Sequence, residues 1–531
     1  MNPRPRLRRR TVLAATASLM PSTAWLKTRG NPMNPAPVEE RSLADLQAEL
    51  AAGRLSARQV TAAYLARIER LDRAGPHLRS VIETNPDAPG IARTLDLGRR
   101  TRGALYGLPI LIKDNISTHD KMQTTAGSLA LLGSKPAADA FVVQQLRAAG
   151  AVILGKTNLS EWANIRSSQS TSGWSARGGL TLNPHALDRN CSGSSSGSAA
   201  AVAASLCAAA VGSETDGSIL SPASVCGIVG MKPTVGLVSR SGVIPIAHSQ
   251  DTLGPMARSV RDCAILLGAM TGFDADDTAM RGSAPHSLTD YTSALDANAL
   301  SGARLGVARQ FFGFHDLTEQ AYAPVLEALR RAGAVLIDPV TLPAIDTIDD
   351  AELTVLLYEL KADLAAYLQR LGPDAPVKSL ADVIAFNLKN ASREMGWFGQ
   401  DLFEKAQAKG PLTDAEYLGA RAKCLRIART DGIEAVMREH SLDALIAPTG
   451  GTAWRIDTVL GDHIVGGSTS PAAVAGTPAI TVPAAMLRGL PLGLSFFGNA
   501  WSEAKLLSLA YAFEQATQAR RAPRYVATID T

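Results

Sequence analysis

The sequence predicts an α/β protein in which helices cover a central sheet. Two observations carry this prediction: strand-like segments alternate with helical ones, and the strand-like segments are apolar along their whole length. A composition of 46% hydrophobic and 19% charged residues over 531 positions supplies ample material for a large core. Since no Pro/Gly/Ser-rich linker separates halves of the chain after residue 40, we expect one large domain over residues 40–525.

The first two helices are predicted from the residues at their N-termini. Ser42 with Asp45, and Ser56 with Gln59, have the spacing of capping boxes, in which each side chain bonds the backbone N–H of the other residue. Gly53 stands where a glycine commonly ends a helix. These signals predict two helices at the start of the domain.

A strand, a helix and a second strand are predicted next. The stretch ALYGLPILIKDNI at 104–116 indicates an apolar strand that ends at a charged loop. Residues 139–150 predict a helix closed by Gly150, and AVILG at 151–155 predicts a buried strand directly after it. This alternation is what favours the α/β class.

The chain changes character at about residue 317. From there to about residue 440 the pattern is mainly helical and more charged, which predicts a helical layer or cap. Three strand-like runs and a closing helix are then expected at residues 444–448, 478–483, 492–497 and 502–519.

Residues 1–30 have the features of an export signal. Three arginines at positions 8–10 precede a short apolar stretch, 11–20, and small residues up to Ala24 offer a cleavage site. The apolar stretch is too short to span a bilayer, so we expect no membrane anchor. The arginines resemble a twin-arginine signal, with an ordinary secretory signal as the alternative. We therefore expect a periplasmic or secreted protein that is cleaved near Ala24.

The net charge of +4 originates in this N-terminal segment, which holds seven basic residues and no acidic one. Cleavage near Ala24 removes five arginines from the 53 basic residues and leaves 48 against 49 acidic ones. A nearly neutral mature protein gives no basis for nucleic-acid binding, and we expect none.

The cysteines predict neither a disulfide framework nor a metal site. They are odd in number and sparse, and no two have the spacing of metal ligands. The five positions are Cys191, Cys207, Cys226, Cys263 and Cys424. We expect them to be structural.

The serine-rich stretch CSGSSSGSAA at 191–200 has two opposed interpretations. Gly/Ser composition is typical of flexible linkers. Ser198, however, leads directly into the apolar run 199–211, which predicts a helix followed by a buried strand. The serines therefore lie at a helix N-terminus, where free backbone N–H groups gather. A catalytic loop fits this position, and helix capping or close packing is the alternative.

The same stretch contains G-x-S-x-G, the nucleophile elbow of α/β-hydrolases, with Ser195 at its centre. That motif follows a hydrophobic strand, whereas the residues before it here are polar and include Pro184. The context therefore disfavours Ser195 as a nucleophile. No histidine has a clear triad setting, although a distant one such as His440 or His463 stays an open alternative.

Ser218 fits a nucleophile better, because it follows an apolar strand in a Thr-Asp-Gly-Ser turn. A hydroxyl beside a glycine and free backbone N–H groups can combine a nucleophile with an oxyanion hole. A helix of about 11 residues and a returning strand of about 5 cover equal distances, which brings Ser218 near Ser194. Lys113 also ends an apolar strand, where desolvation favours a neutral base; a salt-bridged structural lysine is the alternative.

Four segments of the chain resemble one enzyme family, the amidase signature family. They are GLPILIKDNI at 107–116, GKTNLSEWA at 155–163, GSSSGSAAAVAAS at 193–205 and ETDGSILSPASVCGIVGMKPT at 214–234. The resemblance implies a single domain with a central mixed twisted sheet covered by helices on both faces. Within the family, GWSARGG at 173–179 and KPTVGLVSRSGVIP at 232–245 are most similar to bacterial peptide amidases, which remove the C-terminal carboxamide of peptides.

The resemblance implies a Ser-Ser-Lys triad that needs no metal or organic cofactor. Ser218 corresponds to the nucleophile, Lys113 to the base, and Ser194 to the bridging serine, which usually adjoins a cis peptide bond. The implied oxyanion hole consists of the backbone N–H groups of Thr215, Asp216, Gly217 and Ser218.

Two aspartates bear on this implied chemistry. Most family members have glycine where this chain has Asp216, so the N–H stays available only if the side chain points away. Asp114 is adjacent to Lys113 and would stabilise a charged lysine if its carboxylate lay close. We expect both carboxylates to point away and Lys113 to be substantially neutral when substrate binds.

The implied reaction is amide hydrolysis through an acyl-enzyme, with the C-terminal amide of a peptide as the expected substrate. A broader aliphatic or aryl amidase or esterase is one alternative, because the sequence does not define the acyl pocket. An amidotransferase A-type subunit that works with a tRNA-recognising partner is another, which the export signal disfavours. The oligomeric state is left open, and a monomer is compatible with the sequence.

Overall fold

A mixed sheet of eleven strands runs through the centre of the protein. The computed structural model describes residues 36–98 and 103–529, and the chain after Asn34 groups into one compact unit. The predicted export signal, residues 1–30, lies outside the described residues. Among the helices of the described residues, none combines the length and the apolar character that a membrane crossing requires.

The strand order across the sheet is β1-β3-β2-β6-β8-β7-β12-β13-β11-β9-β10, and β4 and β5 form a separate small hairpin. Strands β2, β3 and β6 are parallel to one another, as are β9, β10 and β11, whereas the other pairs are antiparallel. The strands are β1 Val81–Thr84, β2 Pro109–Lys113, β3 Val152–Thr157, β4 Trp174–Ser175, β5 Gly179–Leu180, β6 Ala209–Glu214, β7 Val229–Lys232, β8 Thr252–Ala257, β9 Arg304–Ala308, β10 Val335–Val340, β11 Ala444–Pro448, β12 Ala479–Leu487 and β13 Leu490–Phe497.

The helices vary from single turns to a helix of 22 residues. In the described residues the α-helices are α1 Leu43–Ala51, α2 Ala57–Arg67, α3 Ala88–Leu97, α4 Phe141–Ala148, α5 Ser196–Ala203, α6 Leu220–Val225, α7 Val260–Met270, α8 Asp316–Arg331, α9 Asp349–Arg370, α10 Leu380–Lys389, α11 Ala391–Glu394, α12 Asp401–Gln407, α13 Ala415–Cys424, α14 Ala435–Glu439, α15 Ser470–Ala475 and α16 Glu503–Thr517. Wider π-helical turns continue α2 over Ile68–Arg73 and join α13 to α14 over Leu425–Glu434.

The sheet is covered on both faces, as the sequence predicts. Successive side chains of a strand point to opposite faces, and every residue of β2, β3, β8, β11 and β13 is buried. Helices α5 and α6 pack on each other and on β6 and β7, while α7, α8 and α16 form a second group against β8 and β12. All five cysteines are buried and free.

The local signals at the first helices are confirmed with one difference. Ser56 and Gln59 form the capping box in both directions. At α1, the Oγ of Ser42 accepts from the N–H of Asp45, and the return bond of a box is not seen in the described residues. Gly53 follows α1 with a φ of 70°, the left-handed conformation expected of a helix-ending glycine.

The region predicted as mainly helical contains one strand that the sequence analysis missed. Helices α8 to α14 occupy most of residues 316–439, but β10 (VLIDPV) interrupts them and pairs with β9 at the edge of the sheet. Its side chains are mostly exposed or half-buried, so it lacks the apolar run by which the other strands are predicted. Pro339 is tolerated there because an edge strand needs ladder bonds on one side only.

The parallel pair β2 and β6 positions the candidate site. Ile110 pairs with Ala209 and Ile112 with Val211, so both strands end at the same edge of the sheet. Helix α5 runs away from this edge and β6 returns to it, as predicted, although α5 has 8 residues rather than about 11. The residues after β2 and β6 therefore meet the N-terminus of α5, which is the arrangement at which open α/β sheets bind ligands.

Candidate active site

Lys113 and Ser194 are in direct contact. The Nζ atom of Lys113 lies 2.7 Å from the Oγ atom of Ser194, and both side chains are fully buried. Lys113 ends β2, and Ser194 lies two residues before α5, following a cis peptide bond from Gly193. The end of β2 and the loop before α5 thus bring together the two residues predicted from the sequence.

Ser213 orients the amine of Lys113. Nζ lies 3.0 Å from the carbonyl oxygen of Ser213 and 2.9 Å from its Oγ, while Asn115 donates its Nδ2–H to the same Oγ at 2.9 Å. A neutral amine has two N–H donors and one lone pair. If the two donors go to Ser213, the lone pair faces the hydroxyl of Ser194. This is the orientation that a proton acceptor needs.

Burial makes Lys113 a base near neutral pH. Desolvation lowers the pKa of its amine from 10.5 to about 7, against the opposing fields of Glu214 and Asp251. The amine is therefore about half neutral near pH 7, and the neutral form is the one that a proton acceptor requires.

Asp114 points away from Lys113, as predicted. Its carboxylate accepts hydrogen bonds from the backbone N–H groups of Thr125 and Gly127 and from the Thr125 hydroxyl, and it forms an ion pair of 3.1 Å with Arg177. Burial raises the pKa of Asp114, and Arg177 opposes that shift. Its charge is thus satisfied by Arg177 and not by Lys113.

Two other buried lysines show that a lowered pKa alone does not identify the base. Burial lowers the pKa of Lys156 and of Lys232 to about 8 in each case. Lys156 donates to the carbonyl of Ile116 and to Thr124, and Lys232 donates to the carbonyl of Pro233. The contact with Ser194 distinguishes Lys113 from both.

Ser218 lies beside the Ser194 loop, at the wall of a cavity of about 480 Å³. The N–H of Ser195 donates to the carbonyl of Ser218 at 3.0 Å, which fixes the two loops together. Ser218 is 8% exposed, so the residue can be reached from the cavity while the loop around it is buried. The structure therefore places the predicted nucleophile in contact with the loop that contains the predicted bridging serine, Ser194.

Glu214 holds the turn that carries Ser218. Its Oε2 accepts from the N–H groups of Ile219 at 2.6 Å and Leu220 at 3.0 Å, at the start of α6. Burial raises the pKa of this carboxyl, and the nearby Lys232 opposes the shift. Both ends of the turn are thus fixed, by β6 on one side and by α6 on the other.

The predicted oxyanion donors line the cavity together. In the described part of the chain, the backbone N–H groups of residues 215–218 have no hydrogen bond to a protein acceptor. Gly217 has a φ of 71°, and a Cβ there would lie 2.8 Å from Thr469 Oγ1 and 3.1 Å from Ser221 Oγ, so glycine fits this position best. Free N–H groups at a fixed turn are suited to bind a developing oxyanion.

The Asp216 side chain points away from these donors, as predicted. Its two carboxylate oxygens accept hydrogen bonds from Thr469 at 2.7 Å and from Ser470 at 2.5 Å. Burial raises the pKa of Asp216, and the bonds from Ser470 and Thr469 oppose that shift. The carboxylate is therefore held by the start of α15, and the N–H of Asp216 remains available.

Ser195 and the histidines do not form an alternative site. The Oγ of Ser195 donates to the carbonyl of Ser213 at 3.0 Å and is fully buried, and no strand directly precedes it. His463 is half exposed and contacts Asp457, whereas the carbonyl of His440 accepts from Arg304. Among the described residues, neither imidazole bonds to any of these serines. The nucleophile-elbow interpretation is not supported.

Within the described ranges, one group of side chains has atoms close enough to share a metal ion. The candidate ligand atoms of His248, Glu359 and Asp363 lie within 4.8 Å of one another. His248 Nδ1 lies 2.9 Å from Asp363, and this contact raises the pKa of the imidazole. Since the imidazole contacts both carboxylates and Asp363 raises its pKa, we interpret the group as a polar network that ties α9 to the loop containing His248.

Comparisons with known proteins agree with this geometry. The family model described as Amidase matches residues 59–507. A probable amidase of Arabidopsis thaliana is 42% identical over 503 residues, which cover 92% of each chain. The A subunit of the glutamyl-tRNA(Gln) amidotransferase of Chloroflexus aurantiacus is 37% identical over 487 residues, covering 89% of this chain and 96% of that one.

A solved structure is more similar still. The native peptide amidase of Stenotrophomonas maltophilia has 51% sequence identity and a TM-score of 0.87, and the match covers 92% of this chain and 99% of that one. The resemblance noted from the sequence motifs is confirmed by this similarity over nearly the whole described chain.

Proposed function

Because the chain belongs to the amidase signature family and is an amidase, we propose that it hydrolyses the C-terminal carboxamide of peptides to the free acid and ammonia. The observation that carries this proposal is the contact between Lys113 and Ser194 beside the cavity that Ser218 lines. The 51% identity to a peptide amidase supports the choice of substrate.

The proposed mechanism is acyl transfer to Ser218. As Ser218 attacks the carboxamide carbon, its proton moves to Ser194, and Ser194 gives its own proton to neutral Lys113. The N–H groups of residues 215–218 stabilise the negative oxygen of the tetrahedral intermediate, each essential donor contributing about 3–4 kcal/mol. Lys113 then returns a proton through Ser194 to the nitrogen, ammonia leaves, and water hydrolyses the acyl-enzyme by the same relay.

The charge of the cavity supports a neutral carboxamide as substrate. Among the described residues that line it there is no lysine or arginine, and the one carboxylate, Asp216, is held by Thr469 and Ser470. A peptide that ends in a free carboxylate would find no cation there. The product acid is therefore expected to bind less tightly than the amide, which favours its release.

The walls of the cavity also favour an apolar side chain. Ile165, Ile246, Leu356 and Ile464 contribute apolar surface to its lining. An acyl group with an uncharged side chain can fill this space because it has no charge from which water must be removed.

We expect the purified enzyme to release ammonia from amidated dipeptides with an apolar C-terminal residue and to leave internal peptide bonds intact. The measurement is ammonia release from a panel of such dipeptide amides, with benzamide and an aliphatic amide as references and mass spectrometry of the peptide products. Turnover of benzamide or the aliphatic amide alone would contradict the peptide substrate and favour the broader amidase of the sequence analysis.

The amidotransferase interpretation has less support. The related amidotransferase chain is 37% identical, against 51% for the peptide amidase, and the predicted export signal would remove the protein from the compartment where tRNA is charged. We propose that the enzyme acts without a tRNA-recognising partner, on free amides outside the cytosol.

Export is proposed from the arginines at positions 8–10. Replacing all three with lysine keeps the positive charge and should stop export, because a twin-arginine signal depends on the guanidinium groups. The measurement is the fraction of the amidase activity that is found in a periplasmic extract. Lys27→Arg, which keeps the positive charge outside the arginine run, is the control. Undiminished export of the triple variant would indicate the ordinary secretory route.

A further inference from the structure

Asn164 is held in the catalytic cavity by an unusual stretch of backbone. Trp162, Ala163 and Asn164 have φ values of 50°, 54° and 75°, so three successive residues other than glycine adopt left-handed conformations. Such conformations are costly for residues with a Cβ, and they are found where a site requires them. Ala163 and Asn164 both line the cavity of Ser218, which places this stretch at the site.

The side chain of Asn164 has an acceptor without a partner. Its Nδ2 donates to the Oγ of Ser172 at 3.0 Å, which fixes the orientation of the amide. Its Oδ1 is buried and has no hydrogen-bond partner among the described residues. A buried carbonyl oxygen without a donor is unfavourable, and ligand-binding sites are where such atoms find one.

The side-chain amide of Asn164 lies next to the residue that precedes the bridging serine. A Cβ built on Gly193 would be 3.4 Å from Asn164 Nδ2 and 3.3 Å from Ser172 Oγ, so both side chains border the residue that precedes Ser194. In the proposed mechanism the nitrogen that leaves must lie near Ser194, because Ser194 delivers its proton. The side chain of Asn164, which also lines the cavity, and the leaving nitrogen therefore lie on the same side of the cavity.

We propose that Oδ1 of Asn164 accepts an N–H of the substrate carboxamide and thereby makes the enzyme selective for amides over esters. This inference rests on the proposed function. A primary carboxamide has two N–H donors, and one of them can donate to Asn164. The leaving oxygen of an ester has only lone pairs and cannot donate a hydrogen bond. With an ester bound, the two oxygens would face each other without a proton between them, which disfavours the complex.

The test compares a dipeptide amide with the methyl ester of the same dipeptide. In the wild-type enzyme and in Asn164→Ala, kcat/KM is measured for both substrates. Loss of the acceptor should lower the ratio of amide to ester by about 10- to 100-fold, since a hydrogen bond that the site is built to make contributes that much discrimination. Asn164→Asp keeps an acceptor and should retain most of the ratio even if its absolute rate falls.

Asn387→Ala is the matched control. Asn387 is fully buried on α10, its Nδ2 donates to Gln400 at 3.0 Å, and its Oδ1 also has no partner among the described residues, but it does not line the cavity. This variant should keep the amide-to-ester ratio of the wild type. Covalent labelling of Ser218 by a fluorophosphonate measures the fraction of correctly folded sites in each preparation.

Two failures are distinguishable. If the wild type hydrolyses the dipeptide amide and Asn164→Ala leaves the ratio unchanged or raises it, the role of Asn164 is overturned and the proposed function stands. If the wild type spares the dipeptide amide, the peptide substrate is wrong, and benzamide with methyl benzoate then measures the same ratio. If Asn164→Ala leaves the ratio of benzamide to methyl benzoate unchanged from the wild type, the inference is overturned. If the variant lowers that ratio, the inference is supported.

Discussion

Ser218→Ala should abolish acyl-enzyme formation and lower turnover by about 10⁴-fold or more, which is the scale of losing a nucleophile from a catalytic triad. Ser218 lines the cavity and lies in a turn whose four backbone N–H groups have no protein acceptor among the described residues. In the proposed mechanism its loss removes the atom that attacks the carboxamide. The measurements are steady-state turnover of a dipeptide amide and mass spectrometry of the protein after treatment with a fluorophosphonate.

Ser195→Ala is the matched comparison, because it is the serine of the competing motif and lies in the same loop system. Its hydroxyl donates to the carbonyl of Ser213, which in turn accepts from Lys113, so we expect a reduced but measurable rate. A fluorophosphonate adduct on Ser195 with Ser218 unmodified would overturn the assignment of Ser218 as the nucleophile. It would instead support the nucleophile-elbow interpretation, in which Ser195 attacks the substrate.

The location of the site follows from features that a sequence expresses strongly. Lys113 and Glu214 end two largely apolar runs, and parallel neighbours in a sheet end at the same edge. The helix between them begins with Ser196, directly after the serine-rich loop. Hydrophobic patterning therefore suffices to bring Lys113, Ser194 and Ser218 together, and the family motifs add their roles.

The residues that tune the site depend on geometry that the pattern does not express. Ser213 contacts Lys113 because of the register of β6 against β2, and a shift by one residue would turn its side chain to the other face of the sheet. The left-handed backbone at Trp162, Ala163 and Asn164 has no glycine to indicate it. These contributions come from tertiary packing and become visible only in the folded chain.

Lys113 is the group on which the proposed mechanism depends most. Lys113→Ala should lower turnover by orders of magnitude and change KM far less, because the amine lies behind Ser194 and does not line the cavity of Ser218. The measurement is kcat and KM for a dipeptide amide, with Lys156→Ala as the comparison. Lys156 is equally buried but contacts Ile116 and Thr124, so its loss should act through stability and not through the pH dependence described next.

The direction in which kcat/KM changes with pH distinguishes a proton-accepting lysine from a structural one. The pKa of Lys113 is lowered to about 7, and the neutral amine is the active form, so kcat/KM should rise as the pH increases through about 7 and level off above it. Glu214 and Asp251 raise this pKa by their negative charges. In the Asp251→Asn variant the rising part of the kcat/KM profile should therefore move to lower pH. Circular dichroism of the variant checks that its fold is that of the wild type.

Substitutions of the relay itself complete the argument. Lys113→Arg keeps the positive charge and should not restore activity, because a guanidinium does not give up its proton at any pH of the assay. Lys113→Ala combined with Ser194→Ala should cost little more than the worse single change, since the two residues act as one relay and their effects are not additive. Near-normal turnover of the arginine variant, or additive losses in the double variant, would mean that Lys113 is only a structural charge. The 2.7 Å contact with Ser194 would then be a packing interaction, and the proton of Ser218 would need another acceptor.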